Sequence, residues 1–506
     1  MEKTEVLEAI NYLRKYKTET DRIEVKTAKG GFPRKCYDTF SSFSNKYGGI
    51  IIFGLSEDND FKTEGVYDIN DLQRQITDLC SDSMSPVIRP DILAFEFEGK
   101  NILAVKIEEI LQNKKPCYYK PSGIKNGSYT RVGDRDDKMT DYELYSLQSY
   151  NDHIFEDTRP TKRASVEDLN IEELNAYVEK VKTNKPHFAK NDFNKCLKLC
   201  GITDTNKEQV YPTLAGIMLF GEYPQSYYPQ LFVACVVVPG LELGDTGAMG
   251  ERFIDNKRIE GTIEDMITGT MNFLTRNMKT SVIIDSKGKR VNKTEYPLEA
   301  LREAVANALI HRDYSTQTEN AYVSVYMYND RIEIINPGAL YGTNKLEKLG
   351  TATTMESRNP TIVRILEEKG DVIENRHSGI PTMKREMKKY GLPEPEFYEE
   401  RDSFKVIFRN NIVVQKGQQS DTQSGQQSGQ QSGQQNTSLE NYKNIVLEFC
   451  LEPKTAKEIK DLLKIKSRQY VSSNIIKPLI SEGKLEYTNK NSITARNQKY
   501  VAKKDC

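Results

Sequence analysis

Alternating apolar and polar positions near the start of the chain predict a short strand, followed by a buried one. From Arg22 to Lys26 apolar and charged residues alternate, so a strand would turn its apolar side chains to a core and project Glu24 and Lys26 together from the other face. Ile50 to Phe53 is entirely apolar and follows two glycines, which predicts a second, buried strand.

The second half of the chain alternates between strand and helix patterns. The apolar run Leu231 to Val238 predicts a buried strand, and Leu298 to Tyr314 repeats apolar residues and alanines as a helix does. Residues 322–328 and 331–335 then alternate on either side of Asn329-Asp330, which predicts a hairpin with a tight turn. These patterns together predict a multidomain protein of mixed α/β (α+β) class.

Polar stretches divide the chain. Gln415 to Ser438 repeats the unit Gln-Gln-Ser-Gly, which is flexible and cannot bury a core. A second boundary is predicted near Asp157, where a polar stretch follows the last helix of the first domain. We expect five segments: an N-terminal domain at 1–155, an α/β connecting domain at 156–290, a third domain at 291–412, a linker at 413–438 and a C-terminal domain at 439–506.

Composition excludes several classes of protein. The formal net charge of −1 excludes a globally basic nucleic-acid binder, so any such contact must come from local patches. The eight cysteines include no Cys-x-x-Cys pair, which argues against a zinc ribbon or a disulfide framework. The N-terminus lacks the features of a secretory signal, and no apolar run is long enough to cross a bilayer. We therefore expect a soluble cytoplasmic protein without a membrane partner.

Acidic residues around the first two strands form a candidate site. Glu19 lies five positions before Glu24, and Asp58 belongs to an acidic cluster that follows the second strand. Three such carboxylates could hold a divalent cation that activates water, with Lys26 neutralising the charge that develops on a phosphodiester. The four residues are thus candidate catalytic groups, and the three acids are candidate metal ligands. The alternative is a solvated strand face with ordinary surface charges.

This region resembles the Schlafen AlbA-type domain, a module associated with DNA and RNA. The residues that carry the resemblance are Glu19, Glu24, Lys26 and the segments 40–54 and 115–133. In some relatives two glutamates and an aspartate cut RNA, and the resemblance maps them onto the two glutamates and Asp58, whereas other members are not known to cut. Glu57 stands next to Asp58 in the loop and leaves the third position open.

The segment that follows the AlbA-type domain resembles part of a group of bacterial proteins. These proteins join an AlbA-type domain to an ATPase-like domain and are often labelled transcriptional regulators or RecG-like helicases. A helicase motor needs a loop of the form Gly-x-x-x-x-Gly-Lys-Ser/Thr, and the sequence contains none. Gly240 to Gly250 is rich in glycine but lacks the lysine. We therefore exclude a P-loop helicase.

The predicted helix at 298–314 carries a second constellation. Glu303 and Asn307 are four positions apart and share one face of a helix. Asn307 could bind magnesium through its amide oxygen while Glu303 orients or deprotonates a water, as ATP hydrolysis requires. The alternative is a surface stripe.

The helix, the hairpin and Asn336-Pro337-Gly338 together resemble the GHKL (Bergerat-type) ATP-binding fold, an α/β sandwich. The resemblance implies ATP and magnesium as cofactors, and it implies nucleotide contacts from Asn307, Asn336, Gly338 and Gly379. The family uses an aspartate to read the adenine amine, and Asn336 stands there instead. An amide can both accept and donate, which leaves adenine specificity open. A degenerate, purely structural domain is the competing account.

The segment from Glu440 to Cys506 reverses the charge balance, because 14 lysines and arginines face 8 acids, a net of +6. Three helical patterns followed by a hairpin predict a winged helix, whose third helix would enter the major groove of DNA. The candidate nucleic-acid contacts are Arg468, Gln469, Tyr470, Ser473, Lys490 and Arg496. Winged helices also mediate protein contacts, and the basic excess favours DNA.

The sequence thus predicts a nucleic-acid-binding transcriptional regulator with an ATP-binding GHKL-like module. DNA is the expected partner, with RNA and self-association left open. The alternative is a Schlafen-like metal-dependent nuclease that cuts RNA or DNA, in defence against phage, and a scaffold without either activity is a third reading. Enzyme activity, by ATP hydrolysis or by nucleic-acid cleavage, stays open at this stage.

Overall fold

The chain forms two units, Met1–Asn411 and Ile412–Cys506. The computed structural model describes residues 1–33, 35–206, 209–284, 290–351, 355–370, 379–410, 445–447, 449–463, 471–476, 479–480, 484–488 and 499–502. Its class is mixed α/β, as the sequence predicts.

The N-terminal part of the first unit is built on a four-stranded sheet in the order β1-β2-β7-β6. Its helices are α1 Lys3–Tyr16, α2 Cys36–Asn45, α3 Ile69–Asp78, α4 Gly123–Gly127 and α5 Asp141–Asn151. Its strands are β1 Ile23–Lys26, β2 Gly49–Phe53, β3 Leu55–Ser56, β4 Lys62–Thr63, β5 Met84–Ser85, β6 Asp91–Phe97, β7 Lys100–Ile107, β8 Tyr118–Tyr119, β9 Tyr129–Val132 and β10 Arg135–Lys138.

Each face of this sheet has its own core. Ile50 and Ile52 of β2 pack on one face with the apolar side of α1, while Ile51 packs on the other with α2 and α3. β1 runs parallel to β2, with Glu24 opposite Ile51, so Glu24 emerges on the α2 side. The predicted buried strand is confirmed, and so is the alternation that places Val25 and Glu24 on opposite faces of the sheet.

The rest of the first unit contains a six-stranded sheet in the order β14-β13-β17-β18-β20-β19. The helices are α6 Ile171–Asn184, α7 Phe193–Leu199, α8 Leu214–Phe220, α9 Ile263–Asn277, α10 Leu298–Ile310, α11 Pro360–Lys369 and α12 Gly379–Tyr390. The strands are β11 Thr203–Asn206, β12 Gln209–Pro212, β13 Val233–Val237, β14 Asp255–Ile259, β15 Thr280–Ile284, β16 Arg290–Thr294, β17 Val323–Met327, β18 Arg331–Pro337, β19 Glu396–Glu399 and β20 Ser403–Arg409.

The predicted boundary between residues 290 and 291 does not separate two folding units. β13 lies before it and β17 after it, yet they pair in parallel with Val233 opposite Val323. One continuous hydrophobic core extends from Ala164 to Phe408. A parallel pair needs a long crossover connection, and here the crossover carries α9 and α10 onto the sheet.

Several local predictions in this part are confirmed. The apolar run forms β13, the alanine-rich segment forms α10, and β17 and β18 form the predicted hairpin, with Met327 opposite Ile332. Ser165 begins a short 3₁₀ turn at Val166–Asp168, and the longer helix starts only at Ile171.

The second unit contains α13 Ala456–Leu462 and the strands β21 Lys454–Thr455, β22 Leu485–Tyr487 and β23 Lys499–Ala502. β23 pairs antiparallel with both other strands, and the unit has a hydrophobic core of its own. The winged helix itself stays a prediction. Among the described residues, no helix combines the length and the apolar composition that crossing a membrane requires.

Candidate functional site

Glu24 is buried between two cations. Only 5% of it is exposed, and its carboxylate pairs with the Lys26 ammonium and, at 2.8 Å, with Nη2 of Arg131 on β9. The Arg131 side chain is itself fully buried, and its Nη1 lies 2.8 Å from Asp136 on β10. Two acids and two cations therefore form a compact group whose formal charges cancel. Sequence reasoning missed Arg131, which is 107 positions from Glu24.

Glu19 lies beside this group and has an unusual ionisation. Its Oε1 accepts a hydrogen bond of 2.7 Å from the backbone N–H of Val25. The pKa of Glu19 is raised to about 8, mainly by burial. The negative charges of Glu24 and Glu57 contribute to the same rise. At neutral pH the carboxyl group is therefore mostly protonated, which removes one negative charge from the site.

The predicted three-carboxylate metal site is not assembled. Within the described residues, no group of three or more His, Cys, Asp or Glu side chains could hold a metal ion. Glu24 already has two cationic partners, and Asp58 is exposed in the 3₁₀ turn Glu57–Asn59. Of the two adjacent acids, Glu57 is the one whose charge acts on Glu19.

An open cleft of about 570 Å³ lies next to this charged group. The lining residues are Glu19, Thr20, Asp21, Lys46, Tyr47, Arg131, Val132, Gly133 and Asp134. They come from the segment before β1, from the end of α2, and from the β9–β10 hairpin. Three separate parts of the N-terminal domain thus meet at one surface.

A second site lies where α10 meets α12. The amide Nδ2 of Asn307 donates to Oε1 of Glu303 over 3.2 Å, so the amide oxygen is the atom that a cation would use. A methyl group on Gly379, the first residue of α12, would lie 2.3 Å from Glu303 Oε1 and 2.8 Å from Asn307 Nδ2. The structure therefore brings together these three predicted residues, and only glycine fits at the third.

Asn336 faces the same side of β18 as Ile332 and Ile334, which belong to the core beneath α10. The residue is buried, and its Oδ1 has no hydrogen-bond partner among the residues that the structure describes. Since buried polar atoms are nearly always paired, an acceptor without a partner points to a missing donor. The amino group of an adenine is such a donor, so this residue fits the predicted nucleotide.

Gly338 has a backbone φ of +111° and lies against an ion pair. A methyl group there would come within 2.5 Å of Arg358 Nη1 and 2.7 Å of Asp313 Cβ. Arg358 Nη1 lies 2.8 Å from Asp313 Oδ2, and both side chains are more than nine-tenths buried. The glycine predicted to border the nucleotide is therefore in direct contact with a buried charge pair.

This pair also touches the N-terminal domain. The hydroxyl of Tyr142, on α5, donates to Asp313 Oδ2 over 2.9 Å. Arg358 also donates to the carbonyl of Ala339, and Asn359 donates to the carbonyls of Ile310 and Arg312 at the end of α10. The described hydrogen-bond and ion-pair partners of Arg358 are thus all protein groups, Asp313, Tyr142 and Ala339.

The predicted contacts in the C-terminal domain lie almost entirely outside the described residues. These are Arg468, Gln469, Tyr470, Lys490 and Arg496. Ser473 belongs to the helical turn Ser472–Ile476, and its side chain is outside the described part. All six stay predictions.

Three family descriptions match parts of the chain. Residues 19–140 match "Schlafen, AlbA_2", residues 147–234 match a domain of unknown function, and residues 320–408 match "Putative ATP-dependent DNA helicase recG C-terminal". No curated protein matches the sequence. The chain thus carries a Schlafen AlbA_2 domain and a RecG C-terminal-like domain of ATPase type, as predicted from the resemblances.

Two solved structures are similar over part or all of the chain. The DIP2311 protein from Corynebacterium diphtheriae is 15% identical over 95% of this chain and 94% of that chain, with a TM-score of 0.36. The N-terminal domain of a "Putative ATP-dependent DNA Helicase RecG-related Protein" from Nitrosomonas europaea is 25% identical over 26% of this chain and 92% of that chain, with a TM-score of 0.22. The two domain matches together indicate a nucleic-acid-related function with nucleotide binding.

Proposed function

We propose that the protein is a cytoplasmic regulator that binds nucleic acid without cutting it and whose ATPase-like domain binds a nucleotide that alters this binding. The observation that carries the first part is the position of Glu24 between Lys26 and Arg131. A hydrolytic metal site needs carboxylates that are free to bind the ion, whereas Glu24 is neutralised by protein cations. A site without excess negative charge does not repel a phosphate backbone.

The binding proposal is tested with purified full-length protein and labelled RNA and DNA, single-stranded and duplex, in the presence of magnesium. We expect salt-sensitive retention of at least one of these nucleic acids, which stays intact during the incubation. Failure to retain any of them at low salt would overturn the proposal.

The nucleotide proposal rests on the buried, unpartnered Oδ1 of Asn336 and on the pair Glu303 and Asn307. The adenine amino group of bound ATP would donate to Asn336 Oδ1, and the magnesium and phosphates would lie beside Glu303 and Asn307. Titration calorimetry with ATP tests this directly. We expect Asn336→Asp to strengthen ATP binding, because a carboxylate only accepts, and Asn336→Leu to abolish it. Equal affinity of all three proteins would contradict the assignment.

The C-terminal domain is proposed as a second nucleic-acid contact, a winged helix that binds duplex DNA. Its net charge of +6 and its separate core support this proposal. Deletion of residues 439–506 should abolish duplex binding in a mobility assay while leaving ATP binding unchanged. Unchanged duplex affinity after the deletion would remove this part of the account.

A metal-dependent nuclease remains the second candidate function, and one observation favours it. Glu19, with its pKa raised to about 8 by burial, could exchange a proton with a substrate near neutral pH. Incubation of labelled RNA and DNA with the protein and magnesium or manganese tests this candidate. Cleavage that Glu19→Gln abolishes would support it, and the absence of cleavage with both metals would remove it.

A further inference from the structure

Tyr47 has a backbone conformation that its side chain disfavours. It follows α2, its φ is +66°, and Gly48 after it has a φ of +68°. Gly48 is required there, because a methyl group would lie 2.7 Å from the carbonyl oxygen of Ile107. Tyrosine rarely adopts this left-handed region, and a glycine or asparagine would occupy it with less strain. Strain that is retained at an exposed position suggests a functional role for the side chain.

Burial does not account for this tyrosine. The residue is 40% exposed and lines the cleft next to Glu24 and Arg131. An aromatic ring that gains little from packing, yet is held by a strained turn at the edge of a cleft, is available to a ligand.

Two cations lie over the ring. The guanidinium carbon of Arg22 is 5.3 Å and the ammonium of Lys46 is 5.2 Å from the ring centroid. Among the described residues neither cation has an acid within ion-pair distance, and Lys46 lies near enough to Glu399 for their charges to interact. An aromatic ring with two cations beside it matches the chemistry of a nucleotide unit, which has a flat base and charged phosphates.

The adjoining charges permit an anion to approach. Arg131 and Glu24 form a buried ion pair and neutralise each other. The acids in the lining of the cleft are Glu19, which is half-buried, Asp21 and Asp134. Asp21 and Asp134 are exposed to solvent, which screens their side chains from a bound anion.

We propose that Tyr47 is a stacking platform for an unpaired base of a single-stranded nucleic acid, with Arg22 and Lys46 binding the flanking phosphates. The inference rests on the proposed nucleic-acid binding and names its substrate class. Bases in a duplex stack on each other and cannot reach an isolated ring, so this surface selects single strands or frayed ends.

The first test measures affinity of the full-length protein for a labelled single-stranded oligonucleotide by fluorescence anisotropy. Tyr47→Ala should weaken binding by about 5-fold to 150-fold, the range expected for loss of one stacked base, while Tyr47→Phe should bind as the natural protein does. Tyr47→Gly relieves the strained conformation, so its loss of affinity would not reflect misfolding. Tyr16→Ala is the matched control, because Tyr16 is 53% exposed with Lys15 over its ring, and lies outside the cleft lining.

The second test uses the absence of tryptophan from this chain. Tyr47→Trp introduces a single fluorescent reporter, which a stacked base should quench at the same oligonucleotide concentration that saturates the anisotropy signal. Duplex of the same sequence should quench it less. The fluorescence of Tyr16→Trp should not change with either the single strand or the duplex.

The phosphate contacts are tested by salt dependence. The double variant Arg22→Ala with Lys46→Ala should reduce the slope of log affinity against log salt by about 1.4, the value for two phosphate contacts on a single strand. If the natural protein binds no oligonucleotide, the proposed function fails. If it binds, and Tyr47→Ala stays within about twofold or Tyr47→Trp shows no quenching, only the stacking proposal is wrong.

Discussion

Replacing Tyr142 by phenylalanine removes one hydroxyl from the contact between α5 and the ATPase-like domain. That hydroxyl donates to Asp313 Oδ2 over 2.9 Å, and the same oxygen lies 2.8 Å from Arg358, which adjoins Gly338. The nucleotide proposed at Asn336 and Gly338 would therefore meet a charge pair that also contacts the AlbA_2 part of the chain, where nucleic-acid binding is proposed. Tyr142→Phe should uncouple the two sites without changing either one.

The structure sets the size of the effect. A hydrogen bond to a charged group contributes roughly 1.5–3 kcal/mol, and Asp313 keeps its bonds to Arg358 and to the N–H of Ser315. We therefore expect the lower end, a loss of about 1.5 kcal/mol in the free energy of unfolding. If ATP binding depends on this hydrogen bond to change nucleic-acid affinity, the same loss reduces the coupling by up to about tenfold.

The assay is a thermodynamic cycle of four affinities. Oligonucleotide binding is measured with and without a non-hydrolysable ATP analogue, in the natural protein and in Tyr142→Phe. The ratio of the two affinities should move towards one in the variant, while ATP affinity without oligonucleotide stays the same. Tyr145→Phe is the control, because its hydroxyl is on the same helix and bonds Glu156 instead of the ATPase-like domain.

Two results would refute the reasoning. An unchanged ratio in Tyr142→Phe would show that the contact carries no coupling. An equal loss of coupling in Tyr145→Phe would show that any disturbance of α5 has the same effect. The Asp313–Arg358 pair would then have no specific role in the coupling.

Three further predictions follow from buried charges. Glu24→Gln removes a partner of buried Arg131 and should lower the free energy of unfolding by about 3 kcal/mol, measured by urea denaturation; no loss would contradict the buried ion pair. Asp157 accepts hydrogen bonds from two N–H groups at the start of α11. Asp157→Ala should therefore lower the free energy of unfolding by about 1–2 kcal/mol, and Asp157→Asn should lower it by less. Equal losses in the two variants would argue against a capping role. Glu19 has a pKa of about 8 in the folded protein against 4.5 otherwise, so its contribution to stability is present at low pH and is lost as the pH rises from about 4.5 to about 8. Glu19→Gln should flatten that decline, and an unchanged pH profile would contradict the raised pKa.

Local elements could be predicted from the sequence because their signals are local. The alternation in β1, the apolar run of β2, the alanines of α10 and the turn between β17 and β18 each determine a structure within a few residues. The contact between Glu303 and Asn307, in the proposed nucleotide site, was predictable for the same reason. Glu303 and Asn307 share a helical face by spacing alone.

Contacts between distant residues could not be predicted in this way. Arg131 pairs with Glu24 across 107 positions, and Tyr142 bonds Asp313 across 171. Neither partner has a periodic pattern that would reveal the other. The boundary predicted between residues 290 and 291 failed for the same reason, because β13 and β17 lie on either side of it and pair through a long parallel crossover.

The acidic site shows a second limit of sequence reasoning. Glu57 and Asp58 are adjacent in a 3₁₀ turn, and no period distinguishes which acid acts on Glu19. Nor does the type of residue reveal whether Glu24 is free to bind a metal ion. The buried guanidinium of Arg131, which pairs with Glu24, is revealed only by the folded chain.

The most direct test of the account is a single incubation of the full-length protein with a labelled single strand and magnesium, followed by measurement of both retention and strand length. The account predicts retention that decreases with salt and a strand of unchanged length. A strand that is cut, or one that is never retained at low salt, would contradict the claim that this AlbA_2 domain binds nucleic acid without cutting it.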